Sequence, residues 1–175
     1  ALDRADLSYA AKELCCRMSA PTEADWVALL RIVRYLKAEP RVIYRYLLQK
    51  DSAISVYVDT DFAGCAKTRK STSGGCAFRG SHMVNHRSST QRVVTLSYAE
   101  AELTGIVNGS TEGLGLRSLA ADLGRTSILK VFTDSSAAIG ICKRTGIGKV
   151  RHLATDQLWI QDRIRSKDFE LFKVA

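Results

Sequence analysis

Acids stand at the ends of apolar runs in this chain. Asp59 and Asp61 close ISVYVDTD, Asp134 closes LKVFTD, and Glu100 and Glu102 fall in LSYAEAEL at the head of a long helical pattern. In an open α/β sheet, ligands gather at the carboxyl ends of strands, so acids at two such ends can converge. A hard divalent cation needs an oxygen cluster of that kind, and Mg²⁺ is usually held by few carboxylates plus water and substrate phosphate. Two ions so held could activate a water and stabilise the leaving oxygen in phosphodiester cleavage. Each acid also has an ordinary reading. Asp134 before Ser135 and Ser136 is a natural helix N-cap, Asp59 and Asp61 could close a turn, and Glu100 and Glu102 could complement a helix dipole.

The charge pattern adds a second signal. No acidic residue occurs between Asp61 and Glu100, whereas Lys67, Arg69, Lys70, Arg79, Arg87 and Arg92 lie there with His82 and His86. With a net charge of +8, such a run is a candidate phosphate-facing surface. An apolar content of 46% excludes a disordered chain, and 175 residues suffice for one domain with a short appendage. The 5 cysteines include no CxxC and no histidine pair at zinc spacing, which argues against a zinc site or disulfide framework and for a reducing, intracellular compartment. No apolar run reaches membrane-spanning length, and ALDRADLSYA lacks the apolar centre of a leader. A start on alanine and an end inside a strand-like pattern are expected of a piece of a longer chain.

These residues must be placed by regular elements. Ala5 to Met18 carries Leu7, Ala11 and Leu14 at helical spacing. After Pro21, Thr22 opens a TEAD capping box for a second helix with Trp26, Leu30, Val33 and Leu36 on one face. From Ile54 the period becomes 2, predicting a strand that ends on the acids. Gly74 and Gly75 introduce a second strand, Cys76 to Arg79; Gly80-Ser81 suits a tight turn, and His82 to Arg87 forms a third. A long helix runs from about Ser97 to Leu123, its glycines at 105, 109, 113 and 115 costing helical stability. Leu129 to Thr133 is a buried-type strand, DSSAAIGIC a short helix and TGIGK a loop. Leu153 to Ile164 is an amphipathic helix, and Phe169 to Val174 a last strand.

In this order and spacing, YVDTDFAG, RKSTSGG, LSYAEAEL, VFTDSSAAI and VRHLATDQLWIQ closely resemble the ribonuclease H domain of copia-type LTR retrotransposon polyproteins. The preceding RADLSYAAKELCCRMSAPTEADWVALLRIVRYLK resembles the segment that ends the reverse transcriptase there. The resemblance implies residues 1–50 as a helical reverse-transcriptase tail and 51–175 as a ribonuclease H-like α/β domain, a five-stranded mixed sheet flanked by helices. It implies an endonuclease that cuts the RNA strand of RNA/DNA hybrids with two Mg²⁺ ions, Mn²⁺ able to substitute, leaving 3′-hydroxyl and 5′-phosphate ends. The implied partners are the hybrid and the reverse transcriptase of the same polyprotein, in cytoplasmic particles or the nucleus.

Carried over by position, Asp59 is the first-strand carboxylate bridging both metals, Glu102 the helix glutamate and Asp134 the fourth-strand aspartate. Helical spacing alone does not choose between Glu100 and Glu102. The last motif departs from the pattern, with Ala154 where an aspartate commonly follows the histidine, here His152. Asp156 is then the candidate fourth ligand, or an exposed acid in a helix's first turn. Lys67, Arg69, Lys70, Ser71, Thr72 and Ser73 are the expected phosphate grip, and Gln91 and Ser97 the expected minor-groove contacts. Telling RNA from DNA requires such groups near the 2′-hydroxyl. The rivals are a metal-deficient module of the same fold that only binds hybrid, and a DNA-joining integrase.

Overall fold

Alternation of side chains decides the central strand. In β1 (Ile54–Asp61), Ile54, Val56, Val58 and Thr60 turn inward while Tyr57, Asp59 and Asp61 stay exposed. The computed structural model describes residues 4–50, 53–146 and 155–174, with side chains 155–158 outside that set. Around β1 a sheet forms in the order β3-β2-β1-β4-β5. β2 (Thr72–Arg79) pairs antiparallel with β1 and β3 (His82–Thr90) antiparallel with β2, while β4 (Leu129–Thr133) pairs parallel with β1 and β5 (Glu170–Lys173) parallel with β4. The sheet is therefore mixed and five-stranded, as expected.

β2 starts earlier than the sequence predicts, at Thr72 rather than Cys76, because Asp61 pairs with Thr72 and Thr60 with Ser73. Pairing with a strong neighbour overrides the weak strand preference of Ser and Gly. β3 likewise extends to Thr90.

The helix α3 (Tyr98–Asp122) covers the inner face of the sheet. Its glycines are the reason it can lie so close. A Cβ at Gly109 would stand 2.3 Å from a Val58 methyl, and one at Gly105 2.6 Å from the Thr60 hydroxyl. What costs helical propensity therefore permits packing against β1. Leu103 and Ile106 enter the core with Val56, Leu129 and Val131, and α4 (Ser136–Lys143) adds Ala138, Ile141 and Cys142. Full burial of each large aliphatic side chain contributes roughly 1.5–3 kcal/mol. From α5 (Thr155–Arg165), Ile160 joins this core. Gln161 clamps the end of α4, its Nε2 donating to the carbonyls of Ile141 (2.9 Å) and Gly146 (3.1 Å) and its Oε1 accepting from the Gly146 amide (3.0 Å).

On the N-terminal side, a short 3₁₀ turn (Ala5–Leu7) leads into α1 (Ser8–Cys15), which packs along β3. There the Ser8 hydroxyl bonds His86 Nδ1 at 2.7 Å, and Lys12 Nζ donates to the Thr72 hydroxyl at 2.8 Å. The capping box forms at Thr22 and Asp25 and starts α2 (Glu23–Ala38). On the apolar face of that helix Trp26 and Val33 are exposed, while Leu30 and Leu36 are half-buried. Residues 39–50 carry no helix or strand and run beside the β2–β3 turn, where Gln49 Oε1 accepts from the Ser81 amide and hydroxyl. Among the described residues no helix is long and apolar enough to cross a membrane.

Candidate metal centre

Three elements deliver one carboxylate each to a single point. Asp59 comes from the carboxyl end of β1, Asp134 from the residue after β4, and Glu102 from the second turn of α3. One ligand oxygen from each lies within 4.8 Å of the other two. Asp59 and Asp134 are exposed, whereas Glu102 is 0% exposed.

The choice between the helix glutamates follows from the packing of α3. Glu100, 5% exposed, faces the helix start: its carboxylate accepts from the Leu96 amide (3.0 Å) and the Ser97 hydroxyl (3.0 Å). Glu102 lies three and seven residues before Gly105 and Gly109, on the stripe pressed against β1. That glycine stripe is the signal by which the sequence could have singled it out.

Asp134 is not the cap of α4. Ser135 occupies that position, its hydroxyl accepting from the Ala138 amide at 3.2 Å. The Asp134 carboxylate is thereby left for the cluster. Asp61 stays outside the trio and lies over Gly64, where a Cβ would meet its carboxylate. Asp156 falls in the first turn of α5 with its side chain outside the described residues, and His152 and Ala154 lie outside them altogether.

The electrostatics match an incomplete site. Burial first, then the charges of Asp134 and Asp59, push Glu102 from its ordinary 4.5 up to about 7. The Tyr98 hydroxyl and the Thr60 amide pull the other way, yet among the described residues no donor reaches hydrogen-bonding geometry at either Glu102 oxygen. Two unpartnered buried carboxylate oxygens are a costly arrangement for a protein by itself. Tyr98 responds in kind, its phenol pushed up to about 12 by burial and by Glu102, Asp134 and Asp59.

The expected phosphate grip divides in two. Lys67 and Arg69 are exposed and Lys70 half-buried on the loop between β1 and β2, and none of the three makes an ion pair among the described residues. The polar residues beside them are a correction to the sequence reading. Ser71, Thr72, Ser73 and Gln91 are buried, and their side chains are spent inside the fold. Ser71 Oγ accepts from the Ala63 amide (3.1 Å) and bonds the Thr95 hydroxyl (3.1 Å). Thr72 accepts from Lys12. Gln91 Nε2 donates to Ser73 Oγ (2.9 Å) and the Ala101 carbonyl (2.9 Å), tying the sheet to α3. Ser97 is the N-cap of α3, accepting from the Glu100 amide at 3.4 Å. The early start of β2 turned Thr72 and Ser73 inward. Phe62 and Tyr98, which flank the acids, were not singled out by the sequence reading, since a lone aromatic in a loop or first turn carries no pattern.

No family model matches the chain. The retrovirus-related Pol polyprotein from transposon RE2 of Arabidopsis thaliana is 32% identical over 180 residues, covering 100% of this chain and 12% of the polyprotein. The chain thus spans about an eighth of the length of such curated relatives. Among solved structures, a foamy viral protease-reverse transcriptase in complex with double-stranded DNA is similar over 96% of this chain and 34% of its own, with a TM-score of 0.58 and 14% identity. A ribonuclease H1 isolated from compost by a metagenomic approach is similar over 70% of this chain and 84% of its own, with a TM-score of 0.52 and 12% identity.

Proposed function

As a chain that belongs, as one homologous segment, with the retrovirus-related Pol polyproteins of transposons and carries a ribonuclease H-like fold, this protein is, we propose, a Mg²⁺-dependent endonuclease that hydrolyses the RNA strand of RNA/DNA hybrids during reverse transcription. The observation that carries the proposal is the convergence of Asp59, Glu102 and Asp134, with both Glu102 oxygens buried and without a hydrogen-bond partner among the described residues.

The residues fit a divalent cation. All donors are carboxylate oxygens, the chemistry Mg²⁺ selects, and the unpartnered oxygens of Glu102 are the groups a cation would satisfy. Asp59, Glu102 and Asp134 are the proposed ligands, with Asp156 as the fourth. Bound ions supply a Lewis acid for the scissile phosphate and a stronger water nucleophile. The chain's own part is to hold Asp59 and Asp134 at the carboxyl ends of adjacent parallel strands and to bring Glu102 to them on a helix packed by glycine contacts. Lys67, Arg69 and Lys70, joined by exposed Arg92, supply cations for the hybrid's phosphates.

Incubation with labelled RNA/DNA hybrid and Mg²⁺, beside Asp134→Asn, tests the reading. Cleavage of the RNA strand by the wild type and its loss in the variant is the expected result. Equal cleavage by both, or cleavage by neither, refutes it. Hybrid binding without cleavage assigns the protein to the binding module instead, and strand joining on DNA ends to the integrase reading. Asp156→Asn with unchanged Mg²⁺ dependence removes the fourth ligand.

A further inference from the structure

Gln91 follows β3 directly and is 5% exposed, its backbone amide fixed to the Ser71 carbonyl at 2.8 Å. Its side chain gives hydrogen bonds to two different elements: Nε2 donates to Ser73 Oγ (2.9 Å) on β2 and to the Ala101 carbonyl (2.9 Å) on α3. Only the N–H side of an amide can face a carbonyl, so the Ala101 bond fixes which way the group points. Its Oε1 is buried with no hydrogen-bond partner among the described residues. As packing alone a half-satisfied amide is an unfavourable choice, since an apolar side chain of similar size would leave no polar atom unpaired.

Both partners of the amide stand next to the carboxylates. Ser73 pairs with Thr60, the residue after Asp59, and the Thr60 amide donates to Asp59 Oδ1 at 2.8 Å. Ala101 immediately precedes Glu102. One side chain therefore joins the strand pair that carries Asp59 to the helical turn that carries Glu102. The glycine contact has a different effect. A Cβ at Gly105 would stand 2.6 Å from Thr60 Oγ1 and 3.9 Å from Ser73 Oγ, so the bare backbone there lets α3 come close. Contact of that kind limits approach and leaves sliding free, whereas hydrogen bonds are directional and hold the helix along its axis. A slip of α3 by one residue would carry Glu102 about 1.5 Å, a large part of the 4.8 Å within which the three ligand oxygens now meet.

We propose that Gln91 is a positioning residue for the metal centre: its two hydrogen bonds set the place of Glu102 relative to Asp59, and it touches neither ion nor substrate. The proposal rests on the reading of the carboxylate cluster as a cation site and deepens it. Gln91 thereby takes a role other than the minor-groove contact expected from the sequence, which its burial opposes.

The test is the Mn²⁺ affinity of the 175-residue chain without hybrid, read from the electron paramagnetic resonance signal of the free ion. Gln91→Leu removes both bonds and should weaken Mn²⁺ binding by about 10- to 100-fold, the usual effect of losing a group that orients metal ligands. Ser73→Ala removes one bond and should weaken it by a smaller factor; it carries the test where Gln91→Leu fails to fold. Ile54→Val, at the opposite end of β1 from Asp59, loosens the same core and controls for lost stability: it should bind Mn²⁺ as the wild type does. Hybrid affinity in EDTA should be the same in Gln91→Leu and wild type. A folded Gln91→Leu or Ser73→Ala with wild-type Mn²⁺ affinity overturns the positioning role alone. So does an equal loss in Ile54→Val, or a loss of hybrid affinity in place of Mn²⁺ affinity. A wild type that binds no Mn²⁺ overturns the cation site and the positioning role with it.

Discussion

Replacing Glu102 by glutamine should stabilise the metal-free protein, by an amount that grows with pH. The carboxyl is fully buried and titrates at about 7 in the fold against 4.5 in its ordinary state. Between those values the folded chain binds more protons than the unfolded one, so stability falls as pH rises. Below 4.5 both states are protonated and the penalty vanishes; above about 7 both are ionised and it is constant. At about 1.4 kcal/mol per tenfold, the gap amounts to about 3 kcal/mol, a large share of the stability of an ordinary domain. Glutamine carries no charge and removes the slope. Urea denaturation in EDTA from pH 4 to 8, with both proteins in parallel, reads the difference directly. Asp6, Asp25 and Asp168 are held below the usual carboxylate range by their own partners. They make both proteins less stable in acid, so they cancel in the comparison. The glutamine variant should gain about 3 kcal/mol on the wild type between pH 4.5 and 8. Saturating Mg²⁺ at pH 8 should reduce that gain, because a cation binds the ionised wild type more tightly than a variant with one carboxylate fewer. Parallel stability curves, or a gain unaffected by Mg²⁺, would refute the account of Glu102 as a buried acid raised by its neighbours.

Packing and charge give further tests. Gly109→Ala should cost about 1–3 kcal/mol in thermal or urea melts, since its Cβ would stand 2.3 Å from Val58. Gly115→Ala, with nothing within 4 Å, should instead stabilise α3 by about 0.5–1 kcal/mol. Gln161→Leu removes three bonds between α5 and the end of α4 and should cost about 1–3 kcal/mol. Replacing Lys67, Arg69 and Lys70 with alanine should weaken hybrid binding and flatten its dependence on log salt by up to about 0.9 for each phosphate left without its cation. An unchanged slope would show that this loop does not neutralise phosphates.

How much of this was legible in the chain depends on whether local rules or tertiary contacts decide each residue. The alternation of β1, the capping box at Thr22 and the apolar run of β4 are local, and they stand where periodicity places them. The start of β2 is not local. RKSTSGG has the composition of a loop, and only pairing with Asp61 and Thr60 makes strand of Thr72 and Ser73 and buries their hydroxyls. The glycines of α3 misled in the same way: they weaken the helix as a helix and are needed for its approach to Val58. Asp134 carried two plausible roles until Ser135 took the cap. Glu102 is the clearest case. By every rule of stability a buried carboxylate without a hydrogen-bond partner among the described residues does not belong against β1 beside Asp59 and Asp134, and burial pushes its carboxyl up accordingly. Local and global preferences agree through most of this fold and part company at this residue, where a site that must accept positive charge from outside is expected to be unsatisfied without it.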